Sequence, residues 1–143
     1  MTTDADEVWA TMLTIVTHNL EDWRRVVSEQ VGLPFSRVRV IRRLVAQPLT
    51  MGRLAEASGM DAPAASVAVN DLERRGLVQR AIDPSNRRVR MVALTDAGHE
   101  MVARVQRVRP AAPAEFSALD DADLEALSGI LSRVAEAADL AHA

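Results

Sequence analysis

The sequence predicts a mainly α-helical fold carrying one small β-hairpin, and three features of the chain lead there. Apolar residues recur every three or four positions along most of the 143 residues, the repeat that lines up one face of a helix. Strand-forming residues gather in "LVQRAI" and "RRVRMVALT", with the turn-forming "DPSN" between them. Glycine and proline punctuate the remainder where helices are expected to stop.

Taken in order, Trp9, Met12, Val16, Leu20, Trp23 and Val27 form one helical stripe over residues 7–30, closed by Gly32 and Pro34. Ser36 is expected to cap a second helix over residues 36–47, with Val40, Ile41, Leu44 and Val45 inward and Arg37, Arg39, Arg42 and Arg43 outward. Thr50 caps a short third helix carrying Met51, Leu54 and Ala55, which ends at Gly59. Asp61 caps the next. Pro63 suits its first turn, where no intrahelical donor is lost, and Ala65, Ala68, Val69 and Leu72 repeat at helical spacing until Gly76. Two short helices joined by a tight, glycine-containing turn make a helix-turn-helix, and the hairpin follows directly. Thr95 then caps a helix running to about Arg109, where Pro110 and Pro113 must kink or end it. The last helix, capped by Ser117 or Asp120, carries Leu124, Leu127, Leu131, Val134 and Ala138.

This order describes a winged helix-turn-helix with N- and C-terminal dimerisation helices, since the two end stripes would bury apolar surface only against a second chain. One integrated domain is expected, in three parts: an N-terminal dimerisation helix at 1–34, the helix-turn-helix and wing at 35–95, and C-terminal dimerisation helices at 96–143.

The totals exclude several classes. Hydrophobic residues make up 48% and charged residues 26%, ordinary for a soluble domain, and no apolar run approaches the ~18 residues of a membrane span. The acidic start "MTTDADEVWA" lacks the basic and apolar blocks of a secretory leader. With no cysteine, disulfides, thiolate zinc sites and thiol redox sensing are out, and a cytoplasmic location is the default.

Charge is unevenly spread. Residues 1–34 sum to −4 and residues 95–143 to −5, whereas residues 35–94 hold eleven arginines against five acids, a net of +6. A basic middle between acidic ends suggests a polyanion-facing module on a scaffold that faces something else. The hairpin admits two readings. Its arginines keep an edge strand soluble, or it is a wing whose tip enters the minor groove of DNA while the preceding helix lies in the major groove. The neighbouring helix pair and the local positive charge favour the wing.

Residues 48–101 also resemble the core of the MarR (multiple-antibiotic-resistance regulator) family, through "LERRGLVQR", "DPSNRR" and "LTDAG" at their mutual distances. The resemblance implies a homodimeric DNA-binding transcription regulator, a repressor at a pseudo-palindromic operator, relieved by a small ligand that is often aromatic. It implies a recognition helix over residues 62–75, with Pro63, Ala64, Ser66, Val67 and Asn70 on the groove face and Arg74 and Arg75 at its end. It further matches Arg88 to the wing arginine of the minor groove, Asp83 to the acid that orients it, and Arg87 and Arg90 to phosphate contacts. Two departures stand out. Asn86 replaces a second acid in the wing, and Val67 and Asp71 stand where many relatives carry arginine. Asp71 can pair with Arg74 and Arg75, three and four residues on.

Other sites have plainer readings. His18, His99 and His142 lie far apart without metal-ligand spacing, so no metal or cofactor is expected. The carboxylates of "DDADLE" suit a helix N-terminus. Trp9, Met12 and Trp23 read as core or dimer interface before they read as a ligand pocket. No nucleophile, base and orienting group are arranged for catalysis, so an enzyme is not expected. The competing class is a winged-helix protein-interaction module without DNA binding, motivated by Val67 and Asp71.

Overall fold

In the computed structural model, which describes residues 3–138, Asp4 accepts a hydrogen bond from the Asp6 N–H and starts helix α1 (Ala5–Val31), which Gly32 ends in the left-handed conformation. Only its C-terminal end is buried, at Val27 and Val31. Further up, Val8, Trp9, Leu13, Ile15 and Val16 are exposed, Trp9 by 61%. The predicted stripe is therefore half core and half surface. Trp23 meets the edge of Phe35 with ring centroids 5.3 Å apart.

Helix α2 (Phe35–Arg43) departs from expectation at both ends. Pro34, not Ser36, stands at the cap without a side-chain bond, while Ser36 Oγ accepts from Arg37. A helix ending at Arg43 lets Val45 leave the apolar face, and Val45 is exposed. Val38 takes the buried place beside Val40 and Ile41.

A two-residue strand, β1 (Leu49–Thr50), follows where the sequence showed only a helix stop. Thr50 also caps α3 (Met51–Ser58), accepting from Arg53 N–H, and Asp61 caps α4 (Ala62–Arg74), accepting from Ala64 N–H. Gly59 and Gly76 lie at φ 64° and 74°, a region that costs other residues strain. Strands β2 (Val78–Asp83) and β3 (Asn86–Leu94) form the hairpin, with Val78 opposite Leu94 and Arg80 opposite Val92. Leu49 and Thr50 pair with Val92 and Met91, so the predicted two-stranded ribbon is a three-stranded antiparallel sheet in the order β1-β3-β2.

Thr95 caps α5 (Asp96–Arg107), accepting from Gly98 N–H. Its hydroxyl donates to the Gly76 carbonyl at 2.6 Å and its N–H to the Leu77 carbonyl at 3.1 Å. A Cβ on Gly98 would lie 2.0 Å from that Leu77 oxygen, which is the physical reason for glycine in "LTDAG". Leu33, Ile41, Leu54, Leu72, Val78 and Val92 are fully buried in one core that draws on α1 to α5 and the sheet. Helix α5 packs on α1, α2 and β3, and the compact unit runs to Pro110.

Residues from Ala111 onward form a second unit. It holds a short 3-10 helix, Ala114–Ala118, and α6 (Asp121–Ala137). Of the two caps predicted for α6, Asp120 serves, in a reciprocal capping box with Asp123, and Ser117 lies inside the 3-10 helix. Leu124, Ile130, Leu131 and Val134 of α6 are exposed. A shallow groove of about 440 Å³ runs along Phe116, Leu124, Leu127 and Leu131.

Candidate nucleic-acid interface

Helix α4 has two unlike faces. Ala65, Ala68, Val69 and Leu72 are buried to 1% exposure or less. Opposite them Pro63, Val67, Asn70 and Arg74 are exposed, and their spacing of four, three and four makes one continuous stripe. Val67 is 58% exposed at its centre. Ala64 and Arg75 are exposed on one flank and Ser66 is half-buried on the other.

Each flank is held by an arginine from another element. On one side Asp71 accepts from Arg37 Nε at 3.0 Å and from Arg75 Nε at 3.2 Å, with Arg74 Nη2 at 3.6 Å. The pairing with Arg74 and Arg75 is as the spacing suggested. Arg37 corrects the sequence reading, which placed it facing out with its neighbours; packing of α2 on α4 brings it onto Asp71. The hydrogen bond from Arg37 is the main cause that lowers the Asp71 pKa from its ordinary value, with Arg75 reinforcing it against partial desolvation. On the other flank Arg80 of β2 donates to Asn70 Oδ1 at 2.7 Å and to Glu73 Oε1 at 3.3 Å.

The hairpin tip is ordered by short-range bonds. Asp83 Oδ1 accepts from both the hydroxyl and the N–H of Ser85, at 2.7 and 2.9 Å, and these bonds lower its pKa. Asp83 thus shapes the turn, where the resemblance assigned it to orienting Arg88. Asn86 Oδ1 accepts from the Arg88 N–H at 3.1 Å, so the departure from an acid keeps the acceptor and drops the charge. Arg87, Arg88 and Arg90 are exposed, and no carboxylate pairs with them among the described residues. Three uncompensated positive charges therefore stand on the ribbon beside the α4 stripe.

Residues 31–89, from the end of α1 through the wing, match the MarR family. Over these residues the chain is similar to the MarR family. It is 33% identical over 87 residues, 60% of its own length, to a Thauera aromatica protein named as a transcriptional regulatory protein for the hcr operon, and spans about half of that relative, 52%. Among solved structures it is similar to the transcriptional regulator BldR from Sulfolobus solfataricus, at 25% identity and TM-score 0.61, covering 92% of this chain and 99% of that one. It is also similar to a variant of S. aureus MepR bound to an oligodeoxyribonucleotide, at 19% identity and TM-score 0.62, covering 90% and 96%. That last likeness concerns the fold.

At this interface the sequence passed over Arg37 and Arg80. A signal existed for Arg80: alternation along β2 from the buried Val78 puts position 80 on the same side of the sheet, toward α4. Elsewhere, His18 and His99 are exposed, and His142 lies outside the described residues. Among the described residues no group of three histidine, cysteine or acidic side chains is placed to hold a metal, and no helix is long and apolar enough to cross a membrane.

Proposed function

We propose that this chain is a homodimeric, sequence-specific transcription regulator that inserts α4 into the major groove of double-stranded DNA and the β2–β3 wing into an adjacent minor groove. The observation that carries this is the set of unpaired cations at Arg87, Arg88 and Arg90 on a ribbon next to the exposed α4 stripe. Phosphate attraction supplies such a protein with most of its affinity, and base edges supply the choice of site. Pro63, Ala64, Ser66, Val67 and Asn70 face the bases. Arg74, Arg75, Arg87 and Arg90 meet phosphate, Arg88 reaches into the minor groove, and Asp83 holds the turn that presents it. Val67 contributes contact with a thymine methyl.

The exposed apolar residues of α1 and of α6 support a second copy as partner, because surface of this kind at two ends of a chain favours self-association. The residues at 35–95 then form the DNA-binding lobe and the flanking helices the dimer interface. The family resemblance extends the reading to a repressor of a pseudo-palindromic operator, released by a small aromatic ligand. The names of the Thauera aromatica and MepR relatives support regulation and DNA as the target.

Mobility shift on DNA flanking the chain's own gene, across a salt series, tests this. Binding should weaken linearly in log–log terms as salt rises, and Arg88→Ala should lose much of the affinity. A stable monomer in gel filtration, or binding indifferent to salt, overturns it. The second reading, a protein-interaction module, is favoured by the exposed Val67 and by the carboxylate of Asp71 on α4; it expects Arg88→Ala to leave partner binding unchanged.

A further inference from the structure

We propose that Arg80 and Asn70 act as one unit that reads guanine at a single position of each half-site, an inference that rests on the DNA-binding reading above and adds a base preference to it. Asn70 stands between Val67 and Arg74 in the exposed stripe of α4. Its Oδ1 accepts from Arg80 Nη2 at 2.7 Å, while Arg80 Nη1 reaches Glu73 Oε1 at 3.3 Å. A guanidinium can only donate, so the amide must turn its oxygen toward Arg80. Its Nδ2, with two N–H groups, is then the free end.

A free asparagine reads adenine by accepting from N6 and donating to N7 at once. Here the accepting end is engaged by a charged donor, a bond of the stronger kind, and an incoming amino group would meet the guanidinium's positive charge. Glu73 spends an oxygen on the same arginine and holds the fork in place. The edge left open, Asn70 Nδ2 and the remaining N–H groups of Arg80, consists of donors. In the major groove guanine presents two neighbouring acceptors, N7 and O6. Adenine sets one acceptor beside a donor, cytosine shows a donor, and thymine shows one acceptor beside a methyl group. Guanine is the base whose edge matches.

Selection from a library of randomised duplexes, with the wild-type chain, Asn70→Ala and Arg80→Ala, tests the pair. The position whose preference Asn70→Ala abolishes should be guanine in the wild-type selection, favoured roughly tenfold or more. Arg80→Ala should still bind but change that position to adenine, because the amide oxygen is released. Asn70→Asp keeps an acceptor for Arg80 and removes the amide donors, so it too should lose guanine, and it serves if the alanine variant fails to fold. Wild-type enrichment of adenine there, an unchanged preference in Arg80→Ala, or no position altered by either change at Asn70 overturns the pair while leaving DNA binding intact. If the wild-type chain enriches no duplex even at low salt, the DNA-binding reading falls and takes the pair with it.

Discussion

Arg37 of α2 donates from Nε to Oδ2 of Asp71 in α4 at 3.0 Å, and this bond ties the scaffold of the lobe to the helix proposed to read DNA. Arg75 and Arg74 crowd the same carboxylate, so one acid holds three cations that would otherwise lie free beside the stripe. Because Arg37 and Arg75 lower its pKa below the unfolded value, its contribution to stability is complete above the unfolded carboxylate range and is lost as pH falls through the folded value. Denaturant midpoints followed from neutral pH to about pH 3, below the ordinary carboxylate pKa, should fall more steeply for wild type than for Asp71→Asn. Parallel curves would remove Asp71 from the acid response.

Gly98 and the Leu77 carbonyl set a second expectation. An alanine there places its Cβ 2.0 Å from a backbone oxygen that also accepts from Thr95, so α5 must move off the sheet. Equilibrium unfolding of Gly98→Ala should show a loss of at least ~1–3 kcal/mol, the scale of overpacking. Gly52→Ala in α3 meets nothing within 4 Å and should gain roughly 0.4–1 kcal/mol from the unfolded chain's lost freedom.

The two faces of α4 should separate folding from recognition. Leu72 is fully buried, and Leu72→Ala should cost about 2–5 kcal/mol in a denaturation experiment. Val67 is mostly exposed, and Val67→Ala should stay within about 0.5 kcal/mol while altering the sites selected from duplex libraries. Comparable losses from both would mean that the exposed stripe has a folding role.

At the wing, Arg87→Ala and Arg90→Ala should each flatten the dependence of log affinity on log salt by about 0.9 for one lost phosphate contact. Their melting temperatures should match the wild type, since neither side chain forms an ion pair in the fold. Fluorescence anisotropy across a salt series measures the slope, and an unchanged slope would detach those arginines from phosphate.

For self-association, the exposed Leu131 and Val134 of α6 are the sensitive points. A carboxylate placed among them would be buried unpaired by a second copy, at a cost of several kcal/mol. Leu131→Glu should therefore sediment as a monomer at concentrations where the wild-type chain is dimeric, and retention of the dimer would move the interface elsewhere.

Much of this was legible before any coordinates. Thr50, Asp61, Thr95 and Asp120 are helix caps as their residue types and positions suggested, and the "DPSN" turn joins the two strands of the hairpin. The misreadings share one character. Ser36 looked like a cap because of its chemistry, yet Pro34 already starts the helix there with its fixed φ. Val45 looked buried because its spacing continued a stripe that the helix itself does not continue. Beside these, Asp83 accepts two bonds from Ser85, two residues away, which the family resemblance did not supply.

The chain alone determined its helices, its turn and the sign of its charge along the sequence, because capping, turn chemistry and periodicity are settled by residues within a turn or two of each other. Tertiary structure decided which arginine meets which acid, that Leu49 and Thr50 join the sheet, and that Asn70 gives its oxygen to Arg80. Those outcomes depend on how separate faces pack, and spacing along a chain carries no measure of distance across one.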